Sequence, residues 1–312
     1  MKKTFKQFVG ILGAAVLFVQ PVMAAERGAN FELSREIVQK TASVNEDSIR
    51  TEINRLDAIR ILLESNNNML KQGSYQFAGV TNTSQLINTS GEEAELNMSV
   101  RTEAAFEAPD TIFLKTITEF FGEEMIAEIY FADANMYIRD LSQEDAQWVH
   151  FGEYDFSLAV SDATKILTED QIKSLFSRID FGERMDINSD QYHVIQVEID
   201  RDKYKEIMSN EMEAIQAQMD AVSNMMINDQ NLMEEDLIDM RQALEDVLNN
   251  TEASMKYRYI IDARTMLLAR VMYEMEVSLH MNIAGENIGV AMVADGYFSF
   301  SGYGEEFEFP TV

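Results

Sequence analysis

Methionine is the residue whose spacing first suggests chemistry. Met212, Met219, Met226, Met233 and Met240 recur every seven residues, and Val247 continues the series. Ile215, Val222, Leu237 and Leu244 fill intervening apolar positions. Thioethers are flexible and polarizable, so surfaces built from them adapt to varied apolar partners. One reading is a lid lining a lipid or peptide cavity. The other is the buried face of a helical hairpin packed on a sheet, which the same spacing serves. Copper(I) would need close Met-x-Met or Met-x-x-Met clusters with histidine, and a spacing of seven is too dilute.

Other candidate chemistry is thin. Asp186-Ile187-Asn188-Ser189-Asp190 resembles the start of a calcium loop. Gln191 stands where the turn glycine belongs, and Val197 stands where a bidentate Glu is needed, so a solvated turn is the better reading. The histidines, His150, His193 and His280, are far apart, with no nucleophile, zinc or phosphate-loop motif beside them. Acid pairs such as Glu123-Glu124, Glu234-Glu235 and Glu305-Glu306 arise by chance among 54 acids. A glycosidase needs two particular carboxyls across a cleft, and sequence does not single them out. The lone Trp148 reads as a core or rim residue. The chain holds no cysteine, which removes disulfides, thiolate metal sites and thiol nucleophiles. The reading is a non-enzyme with no cofactor and no metal.

Charge and the N-terminus point to an address. Lys2, Lys3 and Lys6 precede an apolar run from Phe8 to Val19, and Val22-Met23-Ala24 supplies small residues for cleavage after Ala24 or Ala25. This predicts a signal peptide over 1–25 and a secreted, extracytoplasmic product. A lipid-anchored product would need a cysteine at that point. Cleavage removes those three lysines and no acid, taking the net charge from −29 to −32. Nucleic acid is thereby an improbable partner, as is stable membrane insertion after cleavage. With 46% apolar residues, the remainder can build a core.

These features need elements to place them. Residues 26–48 are weakly patterned and predict a flexible segment. Ile53, Leu56, Ile59, Leu62 and Leu63 predict a helix over about 48–70, closed by Gly73. Tyr75 and Phe77 suggest a short strand. From Glu93 to Glu107 the chain alternates strictly: Ala94, Leu96, Met98, Val100, Thr102, Ala104 and Phe106 share one face, and mostly acids and polar groups share the other. Further strands are expected at Ile112–Phe120, Met125–Phe131, Met136–Arg139, Gln147–Phe151 and Tyr192–Ile199. A short helix is expected over Thr168–Ser177, and a helical hairpin over 201–249. Met255–Ile261 and Leu267–Val277 alternate around an Asp262–Thr265 turn. Ile288–Ala294 and Tyr297–Tyr303 complete the set. Long meandering strands with grouped helices imply one large antiparallel sheet covered on one face.

Three local stretches resemble the LolA/LppX-like superfamily of exported carriers. They are Ile129–Ile138 followed by Gln147-Trp148-Val149, Tyr192–Asp200 leading into a helix, and Phe298–Gly304 with Phe307–Pro310. The last looks like the terminal edge strand of a secreted Gram-positive branch with no assigned function. The resemblance implies an α+β fold: a large curved antiparallel sheet, an incomplete β-barrel, covered on its concave side by helices. It implies one domain over 49–312 with a helical insertion at 201–249. It also implies an apolar ligand, a lipid or acyl chain, held between sheet and lid. Leu96, Met98, Val100, Phe106, Tyr257, Tyr259, Val271 and Tyr273 would line the cavity with the methionines from 212 to 240. The alternative is a secreted cell-envelope scaffold that binds an envelope protein and no small ligand, with Tyr297–Phe309 as its contact patch.

Overall fold

The structure, a computed structural model, describes residues 46–89, 92–108, 111–142, 146–153, 176–182, 192–206, 250–283 and 286–312. The expected signal peptide, the Thr168 helix start, the Asp186–Asp190 turn and the methionine series lie outside the described residues.

One helix, α1 (Glu46–Gln72), precedes β1 (Ser74–Thr89), β2 (Glu92–Glu107), β3 (Thr111–Phe120), β4 (Glu123–Ala132), β5 (Asn135–Asp140) and β6 (Val149–Glu153). Then come β7 (Arg178–Phe181), β8 (Tyr192–Ile199), β9 (Thr251–Asp262), β10 (Leu268–Ile283) and β11 (Glu286–Ser301). All eleven strands form one sheet in the order β6-β5-β4-β3-β2-β1-β11-β10-β9-β8-β7. Every adjacent pair is antiparallel.

This order is a continuous meander with one seam, β1 against β11, and one break, between β6 and β7. Following the antiparallel pairings around the sheet makes β6 and β7 run in the same sense. They therefore could not pair as a hairpin; parallel neighbours need a crossover.

Local chemistry explains the elements. Phe121 (φ 53) and Gly122 (φ 78) turn β3 into β4, and Asp133 (φ 51) with Ala134 (φ 60) turns β4 into β5. Paired positive φ values are those of tight hairpin turns whose twist matches the flanking strands. Gly73, at φ 74, ends α1 in the left-handed conformation. Asp262 Oδ1 accepts the backbone N–H of Arg264 at 2.9 Å and of Thr265 at 2.8 Å, which fixes the β9–β10 turn. Asp200 caps a helix opening at 201–206, accepting the Lys203 N–H at 2.9 Å.

The core lies between α1 and one sheet face. Ala58, Ile59 and Ile61 pack against Ile179, Ile195, Val197, Tyr257, Ile261, Leu268, Val271 and Tyr273. Ile195, Val197 and Ile261 have no solvent exposure. Burial of each such side chain contributes about 1.5–3 kcal/mol, which makes this contact the main anchor of the helix.

Several expectations are corrected. β11 is a single strand, not two, and it is central between β1 and β10; among the described residues the sheet ends at β6 and β7. Asp295-Gly296 looks like a turn but sits within the strand. The pairing shifts between Leu268 and Arg270, so Leu268 faces the core in place of Leu267 and Ala269, while Val271 keeps its expected place. Phe176 and Ser177 are not helical, and Trp148 precedes β6. After β11 the chain folds back: Ser74 Oγ donates to the Glu305 carbonyl at 2.7 Å, and Phe309 stacks on Tyr130 with centroids 6.1 Å apart.

Candidate ligand-binding face

Strand register places side chains in transverse rows. One row reads Val197, Tyr257, Tyr273, Gly296, Thr81 and Val100. The next reads Ile195, Tyr259, Val271, Phe298, Gly79 and Thr102. A third reads Met255, Met275, Ala294, Thr83 and Met98. Leu96 follows in the row of Val277, Met292 and Gln85, and Phe106 in that of Tyr75 and Ile112. Alternation therefore puts the eight described candidates, Leu96, Met98, Val100, Phe106, Tyr257, Tyr259, Val271 and Tyr273, on one face.

Their burial differs. Tyr257, Val271, Tyr273 and Phe106 are buried, whereas Leu96, Met98, Val100 and Tyr259 are half-buried. α1 packs over the β7–β10 side, next to β7, β8 and β10. Toward the other edge, Met136 and Ile138 on β5 are half-buried. Val149 on β6 and the neighbouring Phe151 are each 61% exposed.

Aromatic packing organises the middle of the face. Tyr273 and Phe298 stack, with centroids 6.1 Å apart and planes 13° apart. Glycines make room for them. A Cβ on Gly296 would lie 2.8 Å from the Tyr273 hydroxyl and 2.4 Å from the Val80 carbonyl oxygen. A Cβ on Gly79 would lie 2.5 Å from the Phe298 ring and 2.1 Å from the Tyr297 carbonyl oxygen. Both positions are closed to any larger residue.

Burial sets the electrostatics. It pushes the Tyr75 hydroxyl up to about 12 and raises Tyr257, Tyr259 and Tyr303 further. Tyr273 also rises by burial, opposed by its 2.5 Å hydrogen bond with Thr81 Oγ1. These phenols stay neutral at physiological pH, so the face offers an uncharged, weakly polar lining. Sulfur adds to it: Tyr257 donates to Met255 Sδ at 3.1 Å and Gln85 donates to Met292 Sδ at 3.4 Å. Met275, Met292 and Ala294 form a second buried cluster with Met255 and Val277 alongside.

Several participants escape a reading of spacing alone. Thr81 and Thr83 are polar residues on the apolar face, and the Thr83 hydroxyl is buried without a partner. Met275 and Met292 come together only through β10–β11 pairing. The signal that could have found them is the register of β1 against β11, where Thr81, Thr83, Ala294 and Met292 alternate with exposed residues.

The histidines are separated as expected: His150 on β6 contacts Asn135 at 2.9 Å, His193 lies on β8 and His280 on β10. Among the described residues no group of three or more His, Cys, Asp or Glu could hold a metal ion. Among them, too, no helix is long and apolar enough to cross a membrane.

Residues 67–234, more than half of the chain, match the model of a family of unknown function, DUF6612, and the chain belongs to that family. No curated protein matches it. Similar solved structures include a DUF1329 family protein from Desulfovibrio piger, at 9% identity, covering 80% of this chain and 91% of that one, with a TM-score of 0.21. A putative outer membrane lipoprotein-sorting protein domain from Vibrio parahaemolyticus shows 10% identity, covers 80% and 92%, and scores 0.23. Ail, the attachment invasion locus protein of Yersinia pestis, shows 4% identity, covers 72% and 98%, and scores 0.17.

Proposed function

We propose that this member of DUF6612 is a non-catalytic, extracytoplasmic binding protein that holds an apolar chain, a lipid or acyl group, on the apolar sheet face. The observation that carries the reading is that the described residues cover that face incompletely. α1 buries the β7–β10 side, while Leu96, Met98, Val100, Met136 and Ile138 keep partial access to solvent and Val149 is exposed. Each methylene of a ligand buried there would contribute about 0.8 kcal/mol. In this reading the methionine-rich segment 212–240 is the lid. Its connection leaves β8 after Ile199 and returns at Thr251, at the same end of the sheet as Met255, Met275 and Met292. Thioethers on both sides would let one cavity accept chains of differing shape.

Titration with cis-parinaric acid tests the reading. Saturable fluorescence enhancement, reversed by an unlabelled fatty acid and abolished in Val100→Asp, is expected. Absence of any saturable signal with intact protein would sink it.

A second reading rests on the free edge of β6. Val149 and Phe151 are exposed on a strand with no second partner among the described residues, the arrangement through which an envelope protein could add a strand. Cross-linking from position 149 to an envelope protein, with no acyl probe bound, would favour it over a carrier.

A further inference from the structure

The opposite face of the sheet carries a groove of about 550 Å³ that the carrier reading does not use. Its floor comes from the two central strands, β1 and β2, with Asn82 and Ser84 beside Asn97 and Ser99. Glu119 at the end of β3 and the Phe121-Gly122 turn close one side. The volume is that of an ordinary small-molecule site.

The lining defines a chemical class. Among the described residues it contains no Lys, Arg or His, so phosphate, sulfate and carboxylate ligands have no counter-charge there. It contains both donors and acceptors in close register. Ser99 Oγ donates to Asn82 Oδ1 at 3.2 Å, Asn82 Nδ2 donates to Asp295 Oδ2 at 3.4 Å, and Asn97 Nδ2 donates to Glu95 Oε1 at 3.2 Å. These bonds orient the amides and leave each with a further N–H to offer. Asn97 Oδ1, the Ser84 hydroxyl and the Glu119 carboxylate are further free partners. A purely cationic ligand would want acceptors only. Hydroxyls, which both donate and accept, match the mixture.

Phe121 supplies an independent observation. The residue is 74% exposed on the groove rim, its ring leans on Phe120 with centroids 4.4 Å apart, and its backbone sits at φ 53. Asn or Gly adopts that conformation more readily. An exposed aromatic face beside amides and carboxylates presents an apolar platform next to directed polar groups, as the C–H face and the hydroxyls of a sugar ring require.

We propose that this groove is a carbohydrate site, taking a neutral oligosaccharide with one ring stacked on Phe121 and its hydroxyls bonded by Ser84, Asn97 and Glu119. It lies on the face opposite the apolar one and stands whether or not the carrier reading holds.

A neutral-glycan array probed with the full chain, followed by calorimetry on the best neutral oligosaccharide, tests this. Phe121→Asn removes the ring and keeps a residue that accepts the turn; Asn97→Ala removes one amide. Each is expected to weaken glycan binding at least tenfold with unchanged thermal unfolding and unchanged cis-parinaric acid response. No neutral glycan bound, equal affinity in both variants, or binding of spermine in place of glycans would overturn the proposal.

Discussion

Two regions of one sheet face behave differently. Under α1, Ile195, Val197 and Ile261 are wholly withdrawn from solvent and Val271 nearly so. On β2 and β5, Leu96, Met98, Val100, Met136 and Ile138 obey the same alternation yet remain half-buried, and at the β6 edge Val149 is exposed. The strands do not explain the difference, because both regions point apolar side chains to the same side. The helix does. Alternation decides which face is dry; what packs on it decides whether the face becomes core or stays half-exposed.

That contrast is open to attack by substitution. The largest effect is expected under α1. Ile195→Ala should lower unfolding free energy by about 3–4 kcal/mol in urea titrations, because a site packed from both sides cannot collapse. Val100→Ala should cost about 1 kcal/mol or less in the ligand-free protein. Equal costs would erase the distinction between the two regions.

The glycines joining the regions come next. Gly296→Ala drives a methyl into the Val80 carbonyl oxygen and the Tyr273 ring, and about 2–3 kcal/mol of destabilisation is expected by thermal unfolding. A neutral result would mean that the Tyr273–Phe298 stack is not fixed.

Alkaline pH sharpens the comparison from another side. Tyr75, Tyr257, Tyr259 and Tyr303 ionise less readily folded than unfolded. Below about pH 10 both states hold these protons and stability is unaffected. Above it the unfolded chain loses protons that the folded chain retains, so stability falls as pH rises. Absorbance at 295 nm should show this group titrating only together with loss of near-ultraviolet circular dichroism. Titration of all tyrosines while the fold persists would contradict the burial.

The smallest effect belongs to the wet face. Arg101 meets Glu124 at 2.7 Å, with both side chains more than half exposed. Arg101→Ala should change stability by less than about 0.5 kcal/mol.

Much of the fold was legible. β2 was expected from Glu93 and begins at Glu92, and β8 matches Tyr192–Ile199, because strict alternation of period two has one interpretation. β1 was under-read. Asn82, Thr83, Ser84 and Gln85 are polar on both faces, so the pattern that would have extended the strand to Thr89 is erased. β7 is only Arg178–Phe181 and, among the described residues, pairs with β8 alone, too short for a periodic signal. β11 was split because Asp295-Gly296 imitates a turn, when the glycine answers a packing demand from Tyr273. The shared face of Leu96–Phe106 and Tyr257–Tyr273 could be read from alternation, but the rows joining them depend on β1 pairing with β11. That closure brings together residues more than two hundred positions apart, and no local pattern encodes it.

The central claim is that the less covered region of the apolar face holds an apolar chain. Native mass spectrometry of the protein purified from its producing cells without detergent, beside Val100→Asp prepared identically, tests it most directly. The account predicts a stoichiometric adduct on the unmodified protein, removable by organic extraction, and none on a Val100→Asp variant that unfolds at a similar temperature. A clean apo mass for the unmodified protein, or the same adduct on both, would contradict it.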